Sequence, residues 1–134
     1  MPEPGASPPR PELATDPGGL AAMGAAFDDE LERGLRELHL LDELAASAPA
    51  RQSYEAHARL LREWGAAINL TAIRGSVEVA RRHVGDSLSA VPVLREVLGG
   101  HGTLLDLGSG AGYPGLPLAA ALPLQRVLLL DSVG

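Results

Sequence analysis

Apolar residues recur at helical spacing through the middle of the chain. Leucines three or four positions apart predict one helix over residues 27–46, and Pro49 would end this element. A second amphipathic helix is predicted over residues 51–65, with Ser53 as a candidate N-terminal cap. His57 falls on the apolar face of this helix. A histidine there is more typical of the edge of a core than of a ligand site.

Two further helices are predicted in the next stretch. One begins at Ser76, a candidate cap, and runs to Val84. The chain then restarts a helix at Asp86, with Asp86, Ser87 or Ser89 as the candidate cap, and a glycine pair at 99–100 ends it. Before these helices, Thr71 lies in a loop and can hydrogen-bond its own backbone.

Near the end of the chain the hydrophobic pattern changes from helical spacing to short apolar runs. Residues 103–107 and 126–130 read as strands, and residues 115–122 between them read as a helix that Pro123 ends. A strand, a helix and a second strand in this order predict a βαβ unit with parallel strands. The fold class is therefore α/β.

Three regions follow from this pattern. Residues 1–25 hold six prolines and four glycines, so we expect a disordered tail. Residues 26–100 form a helical region, and residues 101–134 begin an α/β domain.

The composition restricts which classes of function are possible. The chain has 134 residues, a net charge of −6 and no cysteine, which excludes disulfides, thiolate metal sites and a cysteine nucleophile. Residues 51–100 hold seven arginines and five acidic residues, so contacts to nucleic-acid phosphate are expected from this segment. With no signal peptide or membrane-spanning run in the sequence, we expect a cytoplasmic protein without a membrane contact.

The residues most typical of a ligand-binding site lie where the first predicted strand ends. Asp106 lies in that strand, and Gly108, Gly110 and Gly112 follow at alternate positions. Such a strand–loop–helix unit lets a nucleotide-like ligand lie against bare backbone. The glycines also satisfy the dinucleotide pattern G-x-G-x-x-G, and a tight turn without a ligand is a further alternative. Asp131 directly follows the second predicted strand.

Three stretches together resemble one family, the small-subunit ribosomal RNA guanine-N7 methyltransferases, also called the glucose-inhibited division protein B family. The resemblance covers residues 27–134. Its motifs are Trp64 with Asn69-Leu-Thr-Ala-Ile-Arg74, then Arg82-His-Val-Gly-Asp86-Ser-Leu88, then Leu105-Asp-Leu-Gly-Ser-Gly-Ala-Gly-Tyr-Pro-Gly-Leu-Pro117.

The resemblance implies a class I methyltransferase-like Rossmann-type sheet preceded by a helical segment. It implies S-adenosyl-L-methionine as cofactor, N7 of a guanine in small-subunit (16S) ribosomal RNA as substrate, a monomer and no metal. Asp106 would support the loop through backbone amides. The implied cofactor-binding residues are Gly108, Gly110, Gly112, Tyr113, Asp131 and Ser132. The implied substrate-side residues are Arg82, His83, Asp86 and Ser87, and no catalytic residue is assigned.

The sequence ends at Gly134, directly after the second predicted strand, whereas the family continues. We therefore expect an incomplete chain with little or no methyltransferase activity by itself. Two other hypotheses stay open, a non-catalytic helical interaction module and a fragment of a nicotinamide-dependent oxidoreductase.

Overall fold

The computed structural model describes residues 12–45 and 47–132. A 3₁₀ turn, Pro17–Gly19, precedes the helices. A helix that begins at Ser76 continues to Leu88 through a π-helical segment, Val79–Gly85, and the whole is called the 76–88 helix. The helices and strands are α1 Ala25–Glu37, α2 Leu41–Ala45, α3 Ala48–Ala67, α4 Ser76–Glu78, α5 Asp86–Leu88, α6 Val91–Leu98, β1 Thr103–Leu107, α7 Gly115–Ala121 and β2 Arg126–Leu130.

The two strands pair in parallel, with Thr103 opposite Arg126 and Leu107 opposite Leu130. Because side chains alternate along a strand, Asp106 is buried on the face that α7 covers. The other face carries leucines at 105, 107, 128 and 130, which are between 44% and 69% exposed. The predicted βαβ unit and its α/β class are confirmed, and both strands have the predicted bounds.

The core lies among α1, α3 and the 76–88 helix, with α7 packed against α3. Its largest fully buried side chains include Phe27 and Leu35 from α1, Tyr54 from α3, and Val84 and Leu88 from the 76–88 helix. Apolar positions at helical spacing supply these contacts, as the pattern predicts. The helical region therefore provides a solid support for the loop that follows β1.

The single helix predicted over residues 27–46 is wrong. α1 ends at Glu37, and His39 adopts a left-handed φ of +56°. The N–H of His39 donates to Arg36 O (3.1 Å), and the N–H of Leu40 donates to Leu35 O (2.8 Å). This is a Schellman ending, and Leu40 and Leu35 are both buried as that motif favours. Because a histidine and not the usual glycine takes the left-handed position, the sequence does not show that the helix ends here. Residue 46 lies outside the described residues.

Two predicted helix starts are also corrected. α3 begins at Ala48 with Pro49 in its first turn, where a missing N–H costs little, and Ser53 bonds Pro49 O inside the helix instead of capping it. The predicted restart at Asp86 is absent because Gly85 and Asp86 both have right-handed helical dihedrals. Gly75, not Ser76, is the capping residue of α4. Asp86 is therefore not a cap.

Part of the predicted disordered tail lies against α3. Trp64 Nε1 donates to Ala14 O (2.6 Å), Arg62 Nη1 donates to Ala22 O (3.2 Å), and Met23 is 6% exposed. The tail prediction is therefore wrong for residues 12–24, and residues 1–11 lie outside the described part. Within the described part, no helix is long and apolar enough to cross a membrane.

Candidate functional site

The glycine loop, residues 108–114, connects the end of β1 to the start of α7. Asp106 anchors its far end, because one carboxylate oxygen accepts the N–H of Gly115 at 2.9 Å. That amide opens α7 and has no partner inside the helix, so the carboxylate satisfies an otherwise orphaned donor. This contact confirms the expected support of the loop by Asp106 through a backbone amide.

Four amides of the loop donate within the chain. Leu130 O accepts from Gly108 N (2.7 Å) and Ser109 N (3.2 Å), and Ser109 O accepts from Gly112 N (2.7 Å). The Gly110 N–H donates to a carboxylate oxygen of Asp131 at 2.6 Å. Contacts to the end of β2 therefore hold the loop in place. A phosphate is bound by amides that point at the ligand, whereas these four N–H groups donate within the chain.

The three alternating glycines differ in the space around their backbone. All have positive φ, +74° at Gly108, +50° at Gly110 and +89° at Gly112. A Cβ added at Gly108 or Gly110 would meet nothing within 4 Å, so both present open backbone. A Cβ at Gly112 would lie 2.6 Å from Leu116 Cδ1 and 3.3 Å from His57 Cε1. Gly108 and Gly110 can face a ligand, whereas Gly112 is needed for packing.

A cleft of about 280 Å³ borders the loop on the α3 side. Its walls are the backbone at 110–112 and the side chains of His57, Trp64, Leu70, Leu116 and Leu129, together with Leu60 and Leu61. These walls are mainly apolar and include no arginine. The cleft therefore offers shape and apolar surface, but no positive side chain for a pyrophosphate.

Tyr113 packs between two histidines. Its ring stacks on His57 of α3 at a centroid distance of 4.2 Å and on His83 of the π segment at 4.6 Å. No pattern in the sequence joins these residues, since His57 reads as a core-edge residue and lies 56 positions before Tyr113. Thr71, also not predicted to belong to the site, shares a 3.0 Å hydrogen bond with His83 Nε2. Its hydroxyl accepts the N–H of Ile73, as predicted for this loop.

The four substrate-side residues separate in the structure. His83 touches the loop through Tyr113, and Arg82 beside it is exposed, with no carboxylate partner among the described residues. Ser87 is buried and donates to His83 O at 2.5 Å, inside its own helix. Asp86 lines a groove shared with α1. For Asp86 and Ser87 a place beside the substrate stays a prediction. Ser132 is exposed at the end of β2.

Burial lowers the pKa of His57 below its ordinary 6.5, against the opposing effect of its bond to Ala111 O. Unfolded His57 therefore takes up a proton at a higher pH than folded His57. We predict that the free energy of unfolding falls as the pH drops through about 6.5, by no more than about 1.4 kcal/mol per pH unit for one histidine. Denaturant titrations from about pH 7.5 to 5.5 measure this slope.

His57→Phe keeps a flat ring in place and should reduce the slope. The carboxyl of Glu30, whose pKa Arg33 and Arg81 lower to about 2, loses its contribution only at more acid pH. If the free energy of unfolding changes with pH equally in wild type and His57→Phe, the assignment of this pH dependence to His57 is contradicted.

Comparison with known proteins places this loop in a family. A sequence model of GidB, rRNA small subunit methyltransferase G, matches residues 50–134, which include α3 from Ala50 onward, the 76–88 helix and the whole βαβ unit. The chain belongs to this family. The match includes every residue of the glycine loop and of the His57–Tyr113–His83 contact.

Curated relatives agree with the family match. The chain is 46% identical to Ribosomal RNA small subunit methyltransferase G of Myxococcus xanthus, over 82% of this chain and 47% of that protein. The proteins of the same name from Anaeromyxobacter sp. and Pseudomonas aeruginosa are 45% and 43% identical, over 83% and 86% of this chain and 48% and 50% of their own. The chain thus spans about half the length of these curated relatives. No solved structure matches it.

Proposed function

We propose that this chain carries the cofactor loop of an S-adenosyl-L-methionine-dependent methyltransferase that acts on N7 of a guanine in small-subunit (16S) ribosomal RNA. The observation that carries the proposal is the loop itself: its amides donate within the chain, and Asp131 lies against it. Because these amides already donate within the chain, they are not available to the pyrophosphate of a nicotinamide dinucleotide, whereas S-adenosylmethionine carries no phosphate.

The residues present fit this cofactor. Gly108 and Gly110 leave open the space that a Cβ would fill, so a ligand can lie on their backbone. In the proposal these two glycines border the methionine part of the cofactor, and Asp131 and Ser132 hold the ribose side. Gly112 and Tyr113 act from behind the loop, through packing. When bound, S-adenosylmethionine supplies an electrophilic methyl group.

The proposed reaction requires little acid–base catalysis by the protein. Guanine N7 has a free lone pair and loses no proton before it reacts, so the chain needs no general base at this atom. Its task is to hold the base in line and keep water out, because positioning alone lowers the barrier substantially. The guanidinium of Arg82, which has no carboxylate partner in the part of the chain that the structure describes, is suited to an RNA phosphate, which fixes the position of the RNA without reading its sequence. Action on ribosomal RNA would place the protein in the cytoplasm.

Calorimetric titration of the chain with S-adenosylmethionine and, separately, with NADH tests the proposal. We expect binding of S-adenosylmethionine only. Gly110→Val, which fills the open side of the loop, should weaken it by about tenfold or more, a loss of about 1.4 kcal/mol.

Gly99→Val is the matched control for that variant. Gly99 also has a positive φ (+57°) and open surroundings, but it precedes β1 and so lies away from the loop. It should leave the affinity unchanged. Tighter binding of NADH, or equal affinity in wild type and Gly110→Val, would refute the proposal. Binding of neither cofactor would favour an interaction module.

A further inference from the structure

The loop is attached to the helical region by three stacked rings. Tyr113 lies between His57 and His83, with interplanar angles of 15° and 14°. The two histidines come from different elements, α3 and the π segment, and the tyrosine comes from the loop. The stack therefore joins three parts of the chain that are far apart in sequence.

Each histidine is itself held in place by a second contact. His57 Nε2 lies 2.7 Å from Ala111 O, so α3 also contacts the backbone of the loop through a hydrogen bond. His83 Nε2 lies 3.0 Å from Thr71 Oγ1, which accepts the N–H of Ile73. Rings with a bonded nitrogen cannot turn freely, and the stack has a defined orientation.

The loop is shaped to accept this contact. A Cβ at Gly112 would lie 3.3 Å from His57 Cε1, which is tighter than an ordinary carbon contact, so glycine favours this close approach. The Tyr113 hydroxyl is buried and has no hydrogen-bond partner among the described residues, although an unpaired buried hydroxyl is unfavourable. The tyrosine is therefore held here by its ring and not by its hydroxyl.

We infer that His57, Tyr113 and His83 form a positioning unit that fixes the glycine loop from its packed side and leaves Gly108 and Gly110 open. The unit also sets the loop relative to the π segment that carries Arg82. None of the three rings needs to touch the cofactor for this role. The inference deepens the proposed function and rests on it for its second readout, cofactor affinity, while the first readout is independent.

The first readout is amide hydrogen exchange in the 134-residue chain. Tyr113→Leu removes the ring, and Tyr113→Phe keeps it without the hydroxyl. We expect Tyr113→Leu to speed exchange at Gly108, Gly110 and Gly112 by about tenfold or more, while amides in the middle of α1 change by less than about threefold. Tyr113→Phe should behave as wild type. Unchanged loop exchange in Tyr113→Leu, equal changes in the leucine and phenylalanine variants, or equal acceleration in α1 would each overturn the inference.

The second readout is the affinity for S-adenosylmethionine measured by calorimetry. Tyr113→Leu should weaken binding by about tenfold, and Tyr113→Phe should stay within about threefold of wild type. Equal affinity in all three would overturn the coupling to the cofactor. If the wild-type chain binds no S-adenosylmethionine, the proposed function fails, and hydrogen exchange still decides whether the stack positions the loop.

Discussion

Gly115→Ala is expected to destabilise the chain by about 2–3 kcal/mol, in the range found when atoms are forced into a packed core. The added Cβ would lie 2.3 Å from Leu129 Cδ2 and 2.8 Å from the Asp106 oxygen that holds the Gly115 amide. The Leu129 side chain and the Asp106 carboxylate would both have to shift, and this carboxylate supports the glycine loop. Urea denaturation followed by circular dichroism measures the change.

Gly34→Ala is the matched control for this prediction. Gly34 lies in the middle of α1, and a Cβ there would meet nothing within 4 Å. Alanine lowers the conformational entropy of the unfolded chain and is the better helix former, so the same substitution should stabilise by about 0.5–1 kcal/mol. Opposite signs at the two glycines would confirm the packing at Gly115. A change at Gly115 of less than about 0.5 kcal/mol would contradict it.

Prediction from the sequence works best at the βαβ unit. Strands at 103–107 and 126–130 are confirmed to the residue, and α7 ends one residue before its predicted limit. Here the signals are local: an apolar run, a glycine-rich turn, and prolines that can stand only where an N–H is dispensable. The support of the loop by Asp106 was implied by the family resemblance of the same short stretch.

The helical region is predicted less well because its boundaries depend on tertiary contacts. The ending at His39 uses a residue that rarely takes a left-handed φ, and it is stabilised by the burial of Leu40 against Leu35. The π segment at Val79–Gly85 merges two predicted helices into one. Extra turns of this kind leave no pattern of spacing in the sequence, although they occur often at functional sites.

At the site, sequence reasoning finds the open backbone but not the support behind it. Gly108, Gly110 and Gly112 are equivalent in the motif, and only the fold separates the two open positions from the packed one. Tyr113 was predicted to line the cofactor, which stays a prediction, and the structure adds that its ring lies between two histidines. Its partners lie 30 and 56 positions away, beyond the reach of any local pattern.

Asp131→Ala is expected to have the largest effect on cofactor affinity. One carboxylate oxygen of Asp131 holds the Gly110 amide, so removing the group releases the loop and also removes the proposed ribose acceptor. Hydrogen bonds to a charged group contribute about 1.5–3 kcal/mol, which corresponds to about a ten- to hundredfold loss of affinity for S-adenosylmethionine. Calorimetry on the 134-residue chain measures it.

Asp131→Asn separates the two effects. Its amide oxygen can still accept the Gly110 N–H, so loop exchange should stay near wild type, while the lost charge should weaken binding less than alanine does. Asp42→Ala removes the same charge from the exposed surface of α2 and should leave affinity unchanged, which controls for net charge. Equal affinity of wild type and Asp131→Ala would contradict the role of this carboxylate. A loss in Asp131→Asn as large as in alanine, with the loop still protected, would assign the whole effect to charge at the ribose side.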